Sequence, residues 1–166
     1  RFTIEEGVLI QHLDYLKKLI VGNQDHHNFS VTDLSPTQIL EHVEHLDMLQ
    51  RVEADCERLV GHDSATAILM TWYRNNVLHV IAQSAMIACL LVNRRLPLKI
   101  GALERLMTTV LPYIEAELSF RSGTEGTSRC LLQLETLGLL YRTDQAVSPP
   151  REDTKGRIHL NLLANA

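Results

Sequence analysis

Between Val77 and Val92 the chain is apolar except at His79, Gln83 and Ser84, and Ala82, Ala85 and Ala88 recur at a spacing of three. That spacing gathers the small residues on one narrow face, which another helix can approach closely. Pattern and length predict a helix between Ala65 and Asn93, buried on most sides as a central core element. A helix leaning on a membrane or a partner protein is the alternative. The apolar run falls short of the roughly 20 residues that a membrane span requires. Thr71-Trp72-Tyr73-Arg74-Asn75-Asn76 immediately precedes it, so a polar cluster is expected to be held against the core.

The flanking segments also read as helices. Thr3 with Glu6 forms a candidate capping box, predicting a first helix to about Ile20 with Leu9, Leu13, Leu16 and Ile20 on one face. Val21-Gly22-Asn23 stops it, and a polar loop continues to Thr32. Ser35-Pro36-Thr37-Gln38 combines a cap, a first-turn proline and a glutamine three residues beyond the cap. The second helix begins there, with Ile39, Val43, Leu46 and Leu49 as its ridge and less order up to Val60. Gly61-His62-Asp63 or Ser64 is a connector, since no glycine-rich phosphate fingerprint follows.

After Arg94-Arg95-Leu96-Pro97, residues Leu103, Leu106, Val110, Ile114 and Leu118 mark another helix, interrupted by Pro112. Ser122-Gly123-Thr124 opens a last helix that buries Cys130, Leu131, Leu134 and Leu137 before a left-handed cap at Gly138. Two extended pieces, Leu139 to Arg142 and Arg157 to Leu160, are expected to pair. The fold class is therefore mainly α, a compact multi-helix domain with a small C-terminal hairpin and a winged-helix-like outline. Residues 1–63 form a helical pair, 64–120 the central helix and its successor, and 121–166 the last helix and hairpin, all in one compact unit.

Composition narrows the function classes. With 166 residues, 45% of them hydrophobic, the chain can bury one sizeable core or two small ones. A net charge of -4 gives no global attraction to nucleic acid or anionic lipid. Cys56, Cys89 and Cys130 are odd in number and lack paired metal-ligand spacing, which predicts a reduced compartment and ordinary buried thiols, with no metal. The chain opens on a helix start and not on a leader, and because Arg1 cannot be an unprocessed initiator, either the natural amino terminus is missing or this is a cytosolic piece of something longer.

Candidate chemistry is sparse. His42 and Asp47 have the spacing of a base and its orienting carboxylate, yet residues five apart on a helix lie about 140° from each other. A solvated face of His42, Glu41, His45 and Glu44 is the expectation, and Asp25-His26-His27 is expected on a surface loop. Arg74 carries a rigid fork suited to carboxylate or phosphate. An ion pair with Glu115 or Glu117 competes with contact to a substrate phosphate or another domain. Arg94, Arg95 and Lys99 form a basic cluster for an acidic phospholipid or carrier-protein surface, against a simpler helix-terminal charge arrangement.

Trp72-Tyr73-Arg74-Asn75-Asn76-Val77-Leu78-His79, followed by Leu111-Pro112-Tyr113-Ile114-Glu115-Ala116-Glu117-Leu118, resembles the C-terminal part of membrane-associated bacterial glycerol-3-phosphate acyltransferases. The resemblance implies a parent enzyme at the cytoplasmic face of the bacterial inner membrane. That enzyme would move an acyl group from acyl-CoA or acyl-carrier protein to the sn-1 hydroxyl of glycerol 3-phosphate, without a cofactor. In such enzymes an aspartate-oriented histidine removes the hydroxyl proton. Val43-Glu44-His45-Leu46 departs from that motif, so the chain is expected to be a non-catalytic, soluble or peripheral piece following the catalytic domain, which would be its partner. Tyr73, Arg74, Asn75, Asn76 and His79 are the family-matched structural or substrate-proximal candidates. The alternatives are a winged-helix-like regulatory module and a structural interaction domain. Nucleic acid is disfavoured because Glu125 and Glu135 balance Arg129 on the last helix.

Overall fold

The computed structural model describes residues 2–22, 30–54, 57–94, 96–119 and 126–166. They fall into two units, Arg1–Val77 and Leu78–Ala166.

The first unit starts with a strand. Phe2–Glu5 (β1) precedes α1, Glu6–Val21, so the expected Thr3 cap is corrected: Thr3 pairs with Gly61, and Glu5 occupies the cap position without a side-chain bond. The aromatic and β-branched residues of Phe2-Thr3-Ile4 suit a strand, but their partner lies far along the chain. The second start signal holds in full. In α2, Pro36–His45, Ser35 Oγ accepts from the Gln38 amide at 3.3 Å while Gln38 Oε1 accepts from the Ser35 amide at 2.8 Å. The stretch expected to lose order is a hairpin, β2 at Gln50–Ala54 and β3 at Glu57–His62, giving an antiparallel sheet in the order β1-β3-β2. Its Val60, with Leu19 of α1 and Leu40 of α2, is buried.

The long helix α3, Ser64–Val92, matches the predicted span. Asp63 Oδ1 accepts the Thr66 amide at 2.7 Å, the role of an N-cap. Bonds to the Thr66 amide and hydroxyl hold the Asp63 carboxyl below its ordinary range. Burial departs from expectation. Val80, Ile81, Ala82, Ser84, Ile87, Ala88 and Leu91 are buried, whereas every residue from Thr71 to Val77 is exposed. An all-round apolar helix carries no periodicity to say which stretch has neighbours. By length and composition α3 can cross a membrane, with a mean hydropathy of 1.6 in its most apolar window, of which 33% is buried.

In the second unit α3 from Leu78 onward is followed by β4, Leu98–Lys99, α4, Ile100–Leu118, and α5, Gly126–Thr136. Then come β5, Tyr141–Arg142, β6, Ala146–Ser148, and α6, Lys155–Ala164. The sheet order is β4-β6-β5, with Leu98 opposite Val147 and Tyr141 opposite Ser148. Strand, two helices and a hairpin whose second strand returns to the first give the winged-helix-like outline. The hairpin itself is corrected: Arg157 to Leu160 lies in α6. Thr154 caps that helix by accepting from the Arg157 amide at 3.3 Å, and Leu160 and Leu163 bury their shared face. Within Arg157 to Leu160, the apolar Ile158 and Leu160 alternate with Arg157 and His159 as they would along a strand. Pro112 sits inside α4 without ending it, and Ser122 to Thr124 lie outside the described residues. Gly138 has φ +68°, and the Leu139 amide donates to Leu134 O at 2.8 Å, as the predicted left-handed cap requires.

Candidate functional site

The family-matched residues sit on α3. Tyr73, Arg74, Asn75 and Asn76 are exposed in the first unit, so the expected polar cluster faces outward and not against a core. Arg74 Nη2 donates to Asn75 Oδ1 at 3.3 Å. A neutral amide leaves the guanidinium charge directed to solvent. The Trp72 and Tyr73 rings meet edge to face, 5.4 Å between centroids at 73°. His79, in the second unit, is half-buried.

The basic trio is partly described. Arg94 is exposed, and its Nε donates to Leu90 O at 3.2 Å, satisfying a carbonyl near the C-terminus of α3. Lys99 is exposed at the N-cap position of α4. Arg95 lies outside the described residues, as do Asp25, His26, His27 and Cys56.

His42 and Asp47 do not assemble into a base and its orienting acid. Both are exposed, and α2 ends at His45. Asp47 takes φ 55° in the turn beyond, where its amide donates to Glu44 O at 2.9 Å. His45 Nδ1 lies 2.7 Å from Glu41 O. Among the described residues no three His, Cys, Asp or Glu side chains gather into a metal-sized cluster.

Two features escaped sequence reasoning. In the first unit Arg51 of β2 joins two helices: its Nη2 lies 3.0 Å from Glu6 Oε1 and its Nη1 binds Glu44 Oε2. Burial pulls the guanidinium pKa down, but the bonds and charges of Glu6 and Glu44 outweigh this and raise it overall. In the second unit an apolar groove of about 370 Å³ is lined by Leu78, Ala82, Ala85, Met86, Ile114 and Leu118. Cys89 on its wall is exposed, correcting the expectation of a buried thiol, and its Sγ donates to Ala164 O at 2.9 Å. Cys130 is buried as expected, and desolvation pushes its thiol pKa up. The small-residue face legible at Ala82, Ala85 and Ala88 thus serves two purposes, with Ala88 buried and Ala82 and Ala85 lining the groove.

The described residues define a helical domain with an outward-facing aromatic and amide-rich turn, an apolar groove and a winged-helix-like C-terminal unit. A family model for the glycerol-3-phosphate acyltransferase C-terminal region matches residues 1–166, and the chain belongs to that family. The glycerol-3-phosphate acyltransferase of Xanthomonas axonopodis pv. citri (strain 306) is 34% identical over 118 residues, covering 71% of this chain and 13% of the relative. That of Xylella fastidiosa (strain M12) is also 34% identical over 118 residues, covering 71% of this chain and 14% of the relative. In Pseudomonas putida (strain W619) the similarity reaches 99% of this chain and 20% of the relative, at 27% identity over 168 residues. The chain thus spans between 13% and 20% of the length of these relatives. No solved structure matches it.

Proposed function

We propose that these residues form the non-catalytic C-terminal accessory domain of a glycerol-3-phosphate 1-O-acyltransferase. The whole enzyme would make lysophosphatidate from acyl-CoA or acyl-carrier protein at the cytoplasmic face of the bacterial inner membrane. The observation carrying this reading is the match of all 166 residues to the C-terminal family region, against relatives five or more times longer. The exposure of both His42 and Asp47, with Asp47 in the turn beyond α2, supports it, because a general base works when its orienting group holds it by a hydrogen bond. Chemistry then belongs to the preceding catalytic domain, and this chain supports or positions it. Arg94, Arg95 and Lys99 are assigned to contact with an acidic carrier protein or phospholipid surface.

The test is acyl transfer from a labelled thioester to glycerol 3-phosphate by the purified 166-residue chain, run beside a full-length family enzyme. No product from the chain beside an active control is expected. Product that disappears in His42→Ala would overturn the reading and restore His42 as a catalytic base.

A further inference from the structure

Among the described residues of the first unit, one face of α3 stands exposed. Ile68 and Trp72 form one row of α3, and Leu69, Tyr73 and Val77 the adjacent row, each at a spacing of four. Their exposures are 75%, 62%, 43%, 51% and 53% respectively. Weighted by full side-chain areas on the order of 200 Å², they leave roughly 550 Å² of contiguous apolar surface, near the top of what a soluble monomer ordinarily shows. Trp and Tyr at its centre are the residue types that anchor interfaces.

Three physical considerations choose the occupant. Although the whole of α3 is long enough to cross a bilayer, its buried residues, Val80 to Leu91, belong to the second unit, and the part from Ser64 to Val77 is about 20 Å long at 1.5 Å per residue, shorter than the roughly 30 Å apolar core of a bilayer. Arg74 is the one Lys, Arg, Asp or Glu in α3, whereas a helix lying on anionic lipid carries a basic polar face. A symmetric pair of such faces would bury roughly 1,100 Å² in total, below the 2,000 Å² or more of obligate homodimers. The same total of roughly 1,100 Å² lies within the roughly 600–1,500 Å² of contacts between domains of one polypeptide, where the tether also supplies a high effective concentration. The relatives carry most of their length outside the matched region.

We propose that the Ile68, Leu69, Trp72, Tyr73 and Val77 face of α3 is where this domain docks onto the catalytic part of its own polypeptide, with Arg74 as a charged contact at its rim. The assignment rests on the accessory-domain reading. Because Trp72 is the single tryptophan of the 166 residues, its oxidation by hydroxyl radicals can be followed by peptide mass spectrometry in the isolated chain and in the full-length polypeptide. Oxidation is expected to fall about fivefold in the full-length polypeptide, as a largely exposed ring enters a domain interface, and to be restored by Ile68→Asp. That variant should leave the circular dichroism and melting of the isolated chain unchanged. Equal oxidation in both forms would overturn the assignment, while the accessory reading would stand if lysophosphatidate formation still required this chain. Protection of the isolated chain by phosphatidylethanolamine–phosphatidylglycerol vesicles, or by raising its own concentration, would overturn it in favour of a lipid surface or a second copy. An acyltransferase fully active without this chain would remove the accessory reading and the docking face together.

Discussion

Replacing Arg51 by methionine preserves much of its aliphatic packing and removes its fork. The substitution releases two carboxylates on different helices, and their contributions differ with exposure. Glu44 and Arg51 have side chains 33% and 32% exposed, so water screens their pairing to about 1 kcal/mol or less. The Glu6 side chain is only 12% exposed, and losing its cation leaves a buried carboxylate beside an apolar replacement. Breaking a fully buried pair costs about 3–5 kcal/mol. Access of water through the Arg51 side, and the position of Glu6 in the first turn of α1 where the helix dipole favours an anion, reduce that to about 2 kcal/mol. With a urea slope of about 1–3 kcal/mol per molar, the midpoint of unfolding, followed by far-ultraviolet circular dichroism, should drop by about 1 M. Pairing Arg51→Met with Glu6→Gln should recover about half the loss, since the buried charge is then gone too. A single variant within about 0.5 kcal/mol of the parent, the range of an ordinary surface change, would refute the claim that this trio holds α1 and α2 to the sheet.

Other consequences are equally specific. His159 is buried, and desolvation first, then the charge of Lys155, lowers its pKa below the ordinary 6.5. The unfolded chain therefore binds a proton that the folded chain refuses: stability from this group is complete above about pH 6.5 and declines as pH falls toward the folded pKa. Urea midpoints near pH 7.5 and pH 5.5 should differ less in His159→Phe than in the parent. A Cβ on Gly156 would collide with the Gly138 carbonyl oxygen, whereas one on Gly101 meets nothing within 4 Å. Gly156→Ala should destabilise by about 1–3 kcal/mol, and Gly101→Ala should stabilise by about 0.5–1 kcal/mol; thermal melts of the two variants moving in the same direction would contradict this.

Sequence reasoning succeeded where the physical cause is local. Ser35, Pro36 and Gln38 are neighbours, and their capping box reads directly from order and spacing. Gly138 likewise announces its left-handed φ. Pairings across long separations were invisible: Thr3 has the residues of a cap, but Gly61 offers it a strand partner. Gln50–Ala54 and Glu57–His62 alternate too weakly to declare a hairpin without β1 beside them. The candidate site divides in the same way. The Tyr73-Arg74-Asn75-Asn76 turn was found from its residues, but its exposure depends on which elements pack on α3. Arg51 draws Glu6 and Glu44 from distant segments, and only folding brings the three together.

As the proposed accessory domain, this chain would support acyl transfer without performing it. The direct measurement is lysophosphatidate formation by the full-length polypeptide with and without the residues corresponding to this chain, at matched expression and with the catalytic domain shown to be folded. A loss on the order of a hundredfold is expected on removal, the scale of a mispositioned active site, with recovery when the 166-residue chain is supplied in trans. Undiminished activity after removal would contradict it.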